Sequence, residues 1–368
     1  MRLLSFQAFS LYANGGGSRI LRRLYRGREQ QVISLAVEGY ASKPKTGNIN
    51  ENIITVQPAT RRWMRWYLRD GVVWLREYPL RFLTINRIRK AALKTTYDVV
   101  HVVNHGPFSA ALCNDKFCSG KELWVSFHDH FLTMSSPFAV TSNLWNRANR
   151  RLVISKELGD EYQKLFGNKP YTIITDGVDD DEISAPVITT TTPVIVYFAG
   201  LLHVGYIPLF KILADSLDQL SRQGLSFKLL LRGTQDVDFL NNRLFAVDYK
   251  PVTLDDSELK NELNLASILY LPIEFTKPDF YLYSLSTKMV GYLGSPGTIL
   301  YHGPADSAAC IKLTGVDAAI CCNTLNVDDM VKSITELLND KGEISKNAKN
   351  LARQSFNMKT IQQEFWQS

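Results

Sequence analysis

Short apolar runs alternate with helix-patterned segments along the whole 368-residue chain, and this alternation restricts the fold more than any other feature of the sequence. Runs at 3–9, 31–37, 53–56, 98–104, 122–127, 151–154 and 171–174 read as strands. A second series reads the same way at 194–199, 227–231, 268–272, 298–301 and 318–322. Helical patterns fall between them, at 18–28, 156–166, 208–223, 327–339 and 344–353, with Ser155 placed as an N-cap and Gly167 as a C-cap. Strands that alternate with helices imply parallel sheets covered on both faces, and most of the runs are apolar throughout, as such burial requires. The series breaks once, in the polar, threonine-rich stretch between Asp181 and Pro193. The expected organisation is therefore α/β with two Rossmann-like domains, 1–180 and 194–354, joined by a linker at 181–193. A C-terminal helix at 355–368 is expected to pack back on the first domain.

Composition excludes other classes. With 45% hydrophobic and 21% charged residues the chain is neither disordered nor fibrous. No apolar run reaches the roughly 18–20 residues of a membrane-spanning helix. The amino terminus lacks a sustained signal-peptide core, because Ser5 and Gln7 interrupt it, so a cytoplasmic location is expected. Five cysteines without a C-x-x-C pair argue against a disulfide framework. The charge is unevenly spread: residues 1–97 carry 18 Lys+Arg against 5 Asp+Glu, so the first half is basic although the whole chain is only +6.

Four stretches could carry chemistry. Asn14, Gly15, Gly16, Gly17 and Ser18 lie between the first strand and a basic helix. There backbone amides at the positive end of a helix dipole can approach an anion or a substrate; the alternative is a tight turn that needs positive φ. Ser126, Phe127, His128, Asp129 and His130 follow an apolar strand, and His101 and His105 follow another. They suit a polar active-site wall, a structural histidine cluster or, least well by spacing, a metal site. The third stretch, from Ser284 through Thr287, Lys288 and Gly291 to His302, Asp306 and Ser307, reads as polar loop, short helix, strand and second polar loop. Lys288 near a helix start could neutralise a phosphate, against the alternative of a solvated surface lysine.

The third stretch resembles the donor-site signature of GT-B glycosyltransferases, particularly the retaining family-4-like group, which commonly reads P-S-K-x-x-E-Y-L-A-x-G-x-P-I-L-x-x-G-P. Weaker likenesses follow in the same order along nearly the whole chain: the glycine loop, Tyr97 to His101, His128-Asp129, Val153 to Ser155, Thr175 to Asp179 and Tyr197 to Gly200. The resemblance implies a GT-B fold of two Rossmann-like domains facing each other across a cleft, with donor nucleotide-sugar on the second domain and acceptor on the first. It implies no metal or other cofactor. On this basis Gly16, Gly200, Arg232, Thr287, Lys288, Asp306 and Ser307 are expected to hold the donor. His128 and Asp129 are expected at the catalytic centre, and Gly15, Gly17 and His105 beside the acceptor. The sequence departs from the pattern where the ribose-binding acid becomes Gly291 and where two cations become Leu201 and Tyr206. Arg232 either replaces a lost cation or is structural. The implied activity is transfer of a sugar to a glycan or lipid-linked saccharide, in surface polysaccharide or glycoconjugate synthesis. The alternatives are a sugar-nucleotide epimerase and a non-catalytic GT-B-like subunit.

The fourth stretch interleaves Arg61, Arg62, Arg65 and Arg69 with Trp63, Trp66, Tyr67 and Trp74 at helical spacing. It suggests contact with an anionic membrane at its inner face, against the alternative of aromatics packed on a core. No nucleic-acid-binding motif accompanies it.

Overall fold

The computed structural model describes residues 1–38, 47–56, 71, 74–75, 77–186, 192–253 and 255–367. The chain divides into two compact units, Met1–Thr175 with Glu364–Ser368, and Asp176–Gln363. The first is built on seven parallel strands in the order β3-β2-β1-β4-β5-β6-β7. These are β1 (Leu3–Gln7), β2 (Val32–Glu38), β3 (Asn50–Thr55), β4 (Val99–Val103), β5 (Glu122–Phe127), β6 (Arg150–Val153) and β7 (Thr172–Ile173). The second has six parallel strands in the order β10-β9-β8-β11-β12-β13. Its strands are β8 (Val194–Ala199), β9 (Phe227–Arg232), β10 (Ala246–Lys250), β11 (Ile268–Pro272), β12 (Thr298–His302) and β13 (Ile320–Cys322).

Central strands are apolar because helices cover both faces: every residue of β4, β11 and β12 is buried. The edge strands are where sequence and structure differ. β3 starts at Asn50, three residues before the expected run, and β10 has no counterpart in the sequence reading. Both are sheet edges with partly exposed side chains, so polar residues replace the apolar signal. The first helix is Gly16–Tyr25, shifted towards the glycines, and it closes before Gly27, whose φ of 81° is left-handed. Farther on, the Ser155 hydroxyl accepts the Leu158 amide at 3.1 Å, the cap that the sequence predicts for the helix Lys156–Phe166.

Parallel strands place all carboxyl ends at one edge of each sheet. The chain order reverses between β1 and β4 in the first unit and between β8 and β11 in the second, and each reversal leaves a crevice between diverging loops. The loop after β1 is fastened from three sides. The Ser18 hydroxyl donates to Ser10 O at 2.8 Å, Arg22 donates to Leu11 O and Ala13 O, and the Glu51 carboxylate accepts from Leu11 N at 2.8 Å and from the Ser10 hydroxyl. Residues Glu364–Ser368 complete the first unit. Phe365 meets His101 and Trp124 at ring distances of 5.1 and 5.4 Å, and Trp366 Nε1 donates to Leu24 O at 2.8 Å.

Polar side chains inside the sheets are satisfied by one another. His101 on β4 contacts the Tyr25 hydroxyl through Nδ1 at 2.6 Å and Ser126 Oγ through Nε2 at 2.7 Å. His302 on β12 meets the Tyr270 hydroxyl at 2.8 Å and donates to Thr324 O at 2.8 Å. Burial holds both imidazoles neutral, lowering His101 to about 3 and His302 to about 4. Their stabilising contribution is complete above an unfolded-state value near 6.5 and is lost as the pH falls towards 4. Unfolding near pH 5 should therefore take up at least two protons, a slope of about 2.7 kcal/mol per pH unit. Denaturant titrations between pH 6.5 and 5 measure that slope, and a flat profile contradicts it.

Candidate active site

At the carboxyl edge of the first sheet, a cavity of about 250 Å³ opens beside the β1–β4 reversal. Phe9, Val103 and Met134 supply its apolar wall, and His105, His128 and Asp129 its polar one. Asn14, Gly15 and Gly17 close the remaining side, with Gly16 between the two glycines at the start of the helix. The glycine loop is not the positive-φ turn of the alternative reading. Gly15 has φ 179°, an extended value open to any residue, and nothing lies within 4 Å of where its Cβ would stand. Gly17 matters for space, since a Cβ there would meet the Phe9 ring at 2.8 Å.

The two cavity histidines are uncharged. Burial, reinforced by His105, lowers His128 to about 4, and burial lowers His105 as well. Neutral imidazoles beside aromatic and thioether groups offer hydrogen bonds to hydroxyls rather than charge to an anion. His101, grouped with them in the sequence, is fully buried in the sheet and does not line the cavity. Among the described residues no three His, Cys, Asp or Glu side chains converge as a metal site would require.

In the second unit, Lys288 lies in the first turn of the helix Thr287–Gly294, whose N-cap Ser286 accepts the Lys288 amide at 3.2 Å. Its ammonium stands 5.1 Å from the centre of the Phe198 ring and 5.6 Å from that of Tyr206. It also lies 3.3 Å from where a Cβ on Gly200 would be, and Gly200 has φ 138°, so this corner demands glycine. Among the described residues no carboxylate pairs with Lys288, and burial lowers it to about 8. The ammonium is thus a half-buried cation over two π-faces, with no carboxylate partner among the described residues. Tyr206, which stands where the resembled pattern has a lysine, supplies one of those rings.

Two other expected donor contacts are corrected. Arg232 is buried, with Nε donating to Glu262 at 3.0 Å, Nη2 to Glu258 at 2.7 Å and again to Glu262, and Nη1 to Pro251 O at 2.6 Å. Those bonds raise its pKa and commit it to tying β9 to the helix Asp256–Leu265, so the structural alternative is the right one. The Ser307 hydroxyl is likewise occupied: it accepts from Cys310 N at 2.9 Å and pairs with the Tyr301 hydroxyl at 2.6 Å, which makes it a buried helix cap. Asp306 is exposed on the adjoining turn, and Leu201 is 71% exposed.

Glu274 escaped the sequence reading. It is buried just past β11, pairs with Lys277 at 2.8 Å and helps burial raise Tyr206 to about 12. A Cβ on Gly205 would overlap its carboxylate, so that glycine makes room for it. A charged residue directly after an all-apolar strand was the available signal. Arg61, Arg62, Arg65, Arg69, Trp63 and Trp66 lie outside the described residues.

Two parallel α/β units in succession, matched over nearly their whole length by solved glycosyltransferases, have the GT-B class of fold. Residues 15–182 match the family model described as Glycosyltransferase Family 4, as the sequence resemblance implies. The fold agrees with that of HepE from Anabaena in complex with UDP-glucose, at 16% identity and a TM-score of 0.66 over 99% of this chain and 98% of that one. It agrees equally with an α,α-trehalose-phosphate synthase (UDP-forming) from Burkholderia xenovorans in complex with glucose-6-phosphate, at 11% identity and a TM-score of 0.68 over 99% of both chains. A glycosyltransferase from Rickettsia africae gives 10% identity and a TM-score of 0.62 over 99% and 97%. No curated protein matches the chain in sequence.

Gly291 occupies the position at which the resemblance implies a ribose-binding acid, and nothing lies within 4 Å of where its Cβ would be. Gly291→Glu is therefore expected to fold and to stabilise the helix Thr287–Gly294 by about 0.5–1 kcal/mol, a gain that thermal melting checks.

Proposed function

We propose that the chain is a glycosyltransferase that moves a sugar from a UDP-type nucleotide-sugar to a saccharide hydroxyl. The observation that carries this reading is the unneutralised ammonium of Lys288 on its two aromatic rings. When the bond between the anomeric carbon and the diphosphate oxygen breaks, negative charge grows on that oxygen. A cation already placed and partly desolvated stabilises this charge more in the transition state than in the ground state. The new bond forms from the acceptor oxygen, whose proton must leave.

The cavity of the first unit takes the acceptor in this reading. His105 and His128, both uncharged, exchange hydrogen bonds with its hydroxyls, while Phe9 and Met134 pack on its apolar faces. Asp129 lines the same wall, and in this reading its carboxylate takes the departing proton. Retention of anomeric configuration, and an acceptor that is a glycan or lipid-linked saccharide in surface polysaccharide or glycoconjugate synthesis, rest on the family-4 likeness. HepE and the Burkholderia xenovorans synthase, which hold UDP-glucose and glucose-6-phosphate, support the pairing of donor and sugar acceptor.

Calorimetry with UDP tests the donor site. Lys288→Ala should weaken UDP binding about 10- to 100-fold, the worth of a charge-assisted hydrogen bond. Because the free lysine sits near 8, affinity should hold below that pH and fall about tenfold per unit above it, with proton uptake on binding. Equal affinity in the variant, or a flat pH profile, overturns this assignment. Tight UDP-sugar binding without turnover on any saccharide would favour the non-catalytic subunit instead.

A further inference from the structure

Large apolar side chains are exposed along the helix Arg81–Ala92 and the residues flanking it, and nothing described in the structure covers them. Its packed side is narrow: Thr84, Ile88 and Ala92 are buried one turn apart. On the outward side Phe82 is 53% exposed, and Leu93, eleven residues on and so within about 20° of it around the helix axis, is 56% exposed. Upstream, Trp74 and Tyr78 are exposed with their rings 5.8 Å apart, and Leu80 and Leu83 are exposed as well.

Charge identifies the occupant. From Trp74 to Tyr97 the sequence has six Lys+Arg and one acidic residue, the half-buried Glu77. Arg81, Lys90 and Lys94 are exposed around the apolar face. A protein partner or a second copy would be expected to meet a mixed or neutral rim. Exposed cations beside tryptophan, tyrosine, phenylalanine and leucine match the two layers of a bilayer surface, anionic headgroups and the acyl region just beneath them.

We propose that this face, centred on Trp74, Tyr78, Phe82 and Leu93 and rimmed by Arg81, Lys90 and Lys94, docks the protein on an anionic lipid surface. The proposal does not depend on the glycosyl-transfer reading. No helix among the described residues is long and apolar enough to cross a membrane, and docking of this kind needs none.

Co-sedimentation of the full chain with phosphatidylcholine vesicles, with and without about one-third phosphatidylglycerol, tests it. Binding is expected only with phosphatidylglycerol and should weaken as salt is raised. Each cation removed should cost roughly fivefold, so the triple variant R81E/K90E/K94E should lose at least on the order of a hundredfold. F82S/L93S should abolish stable binding. All five positions are exposed, so melting temperature and UDP affinity should match the parent and separate loss of docking from loss of fold or of the donor site. The proposal is overturned by absence of binding, by equal binding to neutral vesicles or by unchanged binding of both variants. It is equally overturned by a lipid-independent dimer that F82S/L93S turns into monomer, which would show a second copy covering the face.

Discussion

A strand covered on both faces has no room for a solvated group, so in a parallel sheet the polar work collects where the strands end. Both units obey this constraint. In the first, the loop after β1, the turn after β4 and the histidines after β5 converge on one cavity. In the second, Gly200 follows β8, Glu274 follows β11, and the helix bearing Lys288 begins before β12. Each unit's candidate site is thus placed by topology before any individual side chain is considered.

Lys288 keeps one cation of the resembled pattern in changed surroundings. Where the family pattern has further cations, this chain has Leu201 and Tyr206, and the compensating arginine of the sequence reading is bound by Glu258 and Glu262. Two aromatic rings replace electrostatic support with π-faces and desolvation. An ammonium in such surroundings gains more from an arriving anion than one in water does, because part of its hydration has already been removed.

The sheet architecture was legible in the sequence because it leaves a local mark, the unbroken apolar run, and so was the place of Lys288 near the start of a short helix. β10 and the start of β3 left none, since edge strands alternate with polar residues. Side-chain commitment was not legible either. Whether Arg232 faces a ligand or a carboxylate depends on a helix some thirty residues away, and whether Ser307 binds phosphate or caps a helix depends on the direction of its hydroxyl. Tyr206 is only a departure from the pattern in the sequence; that its ring centre lies 5.6 Å from the Lys288 ammonium is set by the fold.

The hydrogen bonds inside the first sheet have a direction. Ser34 donates to Glu51 and receives from Gln7, and Ser5 donates to the Gln7 carbonyl. The Ser5 oxygen is then left to accept from Tyr25, whose own oxygen must accept from His101 Nδ1. His101 is fixed as the Nδ1–H tautomer, with Nε2 receiving the Ser126 hydroxyl. Every proton along this row points towards one carboxylate, so the orientation of a buried imidazole on β4 and the anchoring of Ser10 and Leu11 at the cavity mouth are set by the same negative charge on β3.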